Sequence, residues 1–78
     1  KNDTWRLDAL TSAYPNAIVE VYDRWGRQVF RSERGYPVPW NGRDKTTGRL
    51  LPMNNYFYII YPNNRGEDVI TGTVTIAR

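Results

Sequence analysis

The 78 residues include no cysteine and no histidine. Without cysteine there can be no disulfide framework, and without either residue the usual zinc sites are excluded. The commonest general base and the strongest side-chain nucleophile are also missing, which leaves carboxylates and hydroxyls as the only reactive groups. A non-enzymatic chain with no cofactor is expected. No apolar run approaches the roughly 20 residues that span a bilayer as a helix, so no membrane span of its own is expected. Nor is there a strong excess of one charge: eleven Lys and Arg against eight Asp and Glu give +3. That surplus is too mild to argue for a nucleic-acid partner. The basic residues, nine of them arginine, are scattered from Arg6 to Arg78 and form no run, the pattern of a solvated surface. The start carries neither an initiator methionine nor a signal-peptide pattern, so Lys1 is expected to be an internal position of a larger protein.

What the sequence does have is rings. Three Trp, six Tyr and two Phe supply most of the packing material, each able to bury on the order of 150–250 Å². A chain this short makes one domain and buries only roughly 60–65% of its unfolded surface, so the core must be small. Apolar segments alternate with turn chemistry and none sustains a helical period, so the class expected is all-β. "DTWRLDAL" places Trp5, Leu7 and Ala9 on one face of a half-buried strand, and Pro15-Asn16 then turns the chain. "AIVEVYD" sets Val19 and Val21 inward with Glu20 and Tyr22 outward, and residues 27–32 form its hairpin partner. From Glu33 to Met53 prolines and glycines forbid long regular elements, and Tyr36, Trp40, Leu50 and Leu51 are the anchors expected to hold this long crossover. "NYFYIIY", 55–61, reads as a central strand covered on both faces, and "PNNRGED" as a hairpin turn using Asn64 and Gly66. The last strand, 69–78, turns Ile70, Val74 and Ile76 inward, with Gly72 marking a bulge or a close approach. Five or six short antiparallel strands with a long crossover point to a small immunoglobulin-like antiparallel β-sandwich, with a partly open barrel as the alternative.

Two turns stand out as candidate partner-binding sites. In "DRWGR", Asp23 to Gly26 read as a type I turn closed by Gly26 in the left-handed region. Trp25 must then fold back as a lid over the end of the sandwich, the option favoured for so small a core, or stand exposed as an anchor. Arg24 or Arg27 is placed to stack on its ring. In "PWNGR", Asn41-Gly42 is a turn signal and Trp40 is the expected pin of the crossover. Asp3 with Asp8, and Glu67 with Asp68, read as solvated edge charges. Asn2-Asp3 offers too few oxygens for calcium, and Asn2-Asp3-Thr4 matches the short glycosylation sequon. Aromatics interleaved with arginines leave a carbohydrate-binding accessory domain of an extracellular protein as the alternative function.

"NDTW", "YPNAIVEVYDRWGRQVF", "PWNG", "LLPMNNYFYIIY" and "ITGTVTIAR", in that order, resemble the gliding-motility-associated C-terminal domain, the type B sorting domain of the type IX secretion system. The resemblance spans essentially the whole chain. It departs from the family pattern at Asn54-Asn55, where Gly-Thr is usual, and the family's preceding Asn-Gly-Asp-Gly element is not in the sequence. It implies one C-terminal sorting domain over residues 1–78 of a large secreted or surface protein of a Gram-negative bacterium, an adhesin for example. The implied function is a secretion signal carrying cargo through the periplasm and outer membrane to the surface or medium. The implied partners are translocon components, above all a PorP/SprF-like outer-membrane protein. The residues expected to be recognised are Arg24, Trp25, Gly26, Arg27, Trp40, Asn41 and Gly42, with the Arg-Trp-Gly turn part lid and part knob.

Overall fold

A computed structural model describes residues 5, 7–62 and 69–76. The class is all-β as expected: α1 (Asp8–Ala13), a single short helix, precedes β1 (Ile18–Tyr22), β2 (Gln28–Arg31), β3 (Asn55–Tyr61) and β4 (Ile70–Thr75). The four strands form one antiparallel sheet in the order β2-β1-β3-β4. Among the described residues the strands make this one sheet, with its inner face roofed by loop side chains, and the second layer of the expected sandwich is not shown. The described residues of the segment expected as a first strand form no strand. Trp5 makes an isolated bridge to Trp40, and the chain then turns into α1.

Register decides what each face carries. Val19 opposes Ile60 and Val21 opposes Tyr58, while Tyr56 opposes Val74, so apolar residues at alternate positions share the inner face. A bulge between Val21 and Tyr22 sets two steps of β2 against one of β1, and both Val29 and Phe30 reach the core. The roof comes from the anchors of the crossover. Tyr36, Trp40 and Leu51 are buried against the sheet, and Trp5, Leu7 and Leu10 pack beside them. Leu50, the fourth anchor expected, is 55% exposed.

Rings join this roof edge to face. Trp40 lies 6.0 Å from Tyr56 and 6.3 Å from Trp5, both T-shaped. The buried Tyr36 hydroxyl donates to the Trp5 carbonyl and accepts the Trp40 backbone N–H, so it ties the N-terminal segment to the crossover. Close approach, and not a bulge, explains Gly72. The β3–β4 register is unbroken there, and a Cβ on Gly72 would stand 2.5 Å from the Tyr58 hydroxyl.

The outer face departs from expectation at two points. Phe57 is 48% exposed, so β3 is not covered on both sides. Glu20 points outward as expected yet is buried, because Tyr22 and Tyr61 donate their hydroxyls to Oε1 at 2.7 and 3.3 Å and Arg31 Nε donates to Oε2 at 3.1 Å. Asn2, Asp3, Thr4, Asn64, Gly66, Glu67 and Asp68 lie outside the described residues.

Candidate recognition cleft at the Arg-Trp-Gly turn

The β1–β2 hairpin closes as its sequence dictates. Gly26 N–H donates to the Asp23 carbonyl at 3.0 Å, and Asp23 N–H to the Arg27 carbonyl at 2.9 Å, with Gly26 at φ +86°. The Asp23 side chain completes the turn. Its Oδ1 accepts the backbone N–H groups of Trp25 (3.0 Å) and Arg27 (2.9 Å), the local Asx pattern that makes aspartate favourable at such a position.

On this fixed turn Trp25 is 80% exposed. It is therefore not a lid; Trp5, Tyr36 and Trp40 supply the rings that pack over the sheet. The Arg24 guanidinium carbon lies 5.2 Å from its ring centre, the stacking expected of a neighbouring arginine.

A second bond couples the turn to the crossover. Arg27 Nη2 donates to Asp44 Oδ2 at 2.5 Å, and its Nε stands 3.6 Å from Asp23 Oδ2. Asp44 is buried and is held by further backbone bonds from Thr46 (2.8 Å) and Thr47 (3.2 Å). The Arg27 guanidinium, helped by those N–H groups and opposed by desolvation, holds the Asp44 carboxyl below the usual carboxylate range.

Between this turn and the approach to β3 lies an open cleft of about 240 Å³. Asp23, Arg24, Trp25 and Arg27 form one wall, and Leu51, Pro52, Asn54, Asn55 and Tyr56 form the other. The pairing of Tyr22 with Phe57 brings the two walls together, since the residue after β1 then faces the residues before β3. The second wall is fixed as firmly as the first. Tyr56 donates its hydroxyl to the Pro52 carbonyl at 2.9 Å, Leu51 N–H donates to the Gly42 carbonyl at 2.9 Å, and Ile76 N–H donates to the Asn54 carbonyl at 2.9 Å.

The seven residues singled out in the sequence therefore divide. Arg24, Trp25 and Arg27 line the cleft, and Gly26 shapes its turn. Trp40, 3% exposed, is the pin and offers no surface of its own; it supports Tyr56 from behind, while Gly42, buried at φ +80°, holds Leu51. Asn41 is exposed, accepts the Arg43 N–H at 3.2 Å and does not line the cleft. The sequence reading missed the second wall. The signal was the β1–β3 pairing, which makes "PMNN" the spatial neighbour of "DRWG".

Comparison with known proteins places this geometry in context. The profile of the CHU_C Type IX secretion signal domain matches residues 1–76, nearly the full length of the chain. No curated protein matches it, and no solved structure does. A match of that extent, through both walls of the cleft and all four strands, makes the chain a member of the type IX secretion signal domain family, with a role in sorting a protein for export to the cell surface or medium.

Proposed function

We propose that the domain is a non-catalytic label, read in its folded state by a PorP/SprF-like outer-membrane component of the type IX translocon, and that the cleft at the Arg-Trp-Gly turn is the surface read. The observation that carries this is Trp25. A tryptophan 80% exposed on a turn held by four hydrogen bonds loses little entropy on binding and buries a large apolar area, the profile of an interface hot spot. Arg24, Arg27 and the Leu51–Tyr56 wall surround it, and Trp40 and Gly42 act behind it as positioning residues. A carbohydrate platform finds less support, since it calls for a second exposed ring, and Tyr56, the other ring lining the cleft, is 3% exposed.

The test is export of the full-length cargo carrying Trp25→Ala. Stability should change by no more than about 0.5 kcal/mol, because the side chain touches mainly solvent and Arg24. Secretion should fall at least about tenfold, the effect of losing about 1.4 kcal/mol of recognition. A Trp25→Ala cargo secreted at the wild-type level would refute the proposal.

A further inference from the structure

The hydrogen-bonding state of the cleft carries information about what fills it. Its acceptors are engaged. Asp23 Oδ1 accepts the Trp25 and Arg27 backbone N–H groups, and Asp23 Oδ2 is ion-paired with Arg27 Nε at 3.6 Å; Asn54 Oδ1 accepts the Asn55 N–H at 2.8 Å; Asn55 Oδ1 accepts the Thr75 hydroxyl at 2.6 Å. Its donors are not. Among the described residues Arg24 forms no ion pair, and the side-chain nitrogens of Asn54 and Asn55 have no acceptor. Arg27, by contrast, is shared between Asp23 and Asp44.

Among the described residues, Arg24 is thus the one charged side chain of the lining with no ion-pair partner. It shares the lining with the apolar Trp25, Leu51, Pro52 and Tyr56 and with the amides of Asn54 and Asn55. The Arg24 guanidinium carbon lies 5.2 Å over the Trp25 ring centre, and with no ion pair of its own among the described residues the group is free to grip a carboxylate in a fork.

We infer, resting on the recognition reading above, that the cleft takes an Asp or Glu side chain lying within two residues of an apolar one in an extended loop of the translocon partner. The carboxylate pairs with Arg24, the apolar neighbour lies between Trp25 and Pro52, and the Asn54 and Asn55 amides donate to main-chain carbonyls of the loop. The fit is to a single acid. One unpaired cation does not match a polyanion, which needs a run of basic residues.

Export of the full-length cargo with Arg24→Lys, Arg24→Gln and Arg24→Glu tests this, with Trp25→Ala alongside. Lysine, which keeps the charge and loses the fork, should lower export about threefold, glutamine should lower it about tenfold, and glutamate should abolish it. Selection for second-site suppressors of Arg24→Glu should return exchanges of Asp or Glu for Lys or Arg in a loop of the partner. Wild-type export of both Arg24→Gln and Arg24→Glu, with Trp25→Ala defective, overturns the acidic ligand and leaves the recognition cleft standing. If Trp25→Ala is also exported normally, the recognition reading itself fails. Suppressors that alter polysaccharide synthesis and no protein loop would identify an acidic sugar and overturn the inference.

Discussion

Replacing Tyr36 with Phe keeps the ring and deletes a single oxygen, which isolates the contribution of the roof's polar tie. The residue is 4% exposed, and its hydroxyl accepts the Trp40 N–H at 2.9 Å while donating to the Trp5 carbonyl. A buried N–H stripped of its acceptor costs about 1–3 kcal/mol, and the part-buried carbonyl adds to that, so a loss of about 2–3 kcal/mol is expected. A domain of this length holds about 4–12 kcal/mol in total. The substitution should therefore lower the thermal midpoint by about 10–20 °C. Urea unfolding should report the same loss with an unchanged m-value.

A second signature is independent of the first. Burial pushes the Tyr36 hydroxyl from its ordinary 10.0 up to about 12, with the Trp40 N–H pulling the other way. The folded chain then keeps a proton that the unfolded chain has lost. Stability is whole below about pH 10 and falls as the pH rises toward 12. Tyr36→Phe should lose most of that alkaline decline. The smaller share from Tyr22, raised by its bond to Glu20, and from Tyr61, raised by burial, should remain. If Tyr36→Phe unfolds within about 0.5 kcal/mol of wild type and keeps the full alkaline slope, the hydroxyl is not the tie described.

Two glycines of similar backbone should respond differently. At Gly35, φ +82°, a Cβ would stand 2.6 Å from the Pro15 carbonyl oxygen, so Gly35→Ala should cost at least about 2 kcal/mol, whereas Gly26, φ +86°, has open space and Gly26→Ala should cost only about 1 kcal/mol. Equal losses in urea unfolding would refute the close approach at Gly35. The Asp44 carboxyl, held below its usual 3.8 by Arg27, contributes stability that is complete above about pH 4 and lost as the pH falls through its lowered folded value. Asp44→Asn should flatten that part of an acid titration followed by circular dichroism, and an unchanged acid limb would count against the Arg27 bond.

The sheet was largely legible because its strands carry their faces in the sequence. Alternation fixed the inward side of β1, β-branched and aromatic density marked β3, and Asp23 with Gly26 specified the turn. Trp40 could be recognised as a pin because a long crossover must be anchored by something large. What escaped depended on partners distant in the chain. Trp5 and Leu7 alternate like a strand, but α1 follows at once, and a helix of six residues is too short to imprint a period. Glu20 is polar and so reads as solvated; its burial comes from Arg31 and from Tyr61, forty-one residues away. For Trp25 the small core favoured a lid, and only its exposure in the folded chain shows it to be a knob. One wall of the cleft was visible as a motif, while the other required the register of β1 on β3.

That register makes the cleft a composite of two stretches that meet only when β1 and β3 pair, Val19 against Ile60. A chain halted before residue 51 would carry the tryptophan but no recess beside it. A receptor that needs both walls thereby inspects workmanship as well as destination, and cargo with a misassembled tail would be passed over without any separate proofreading step.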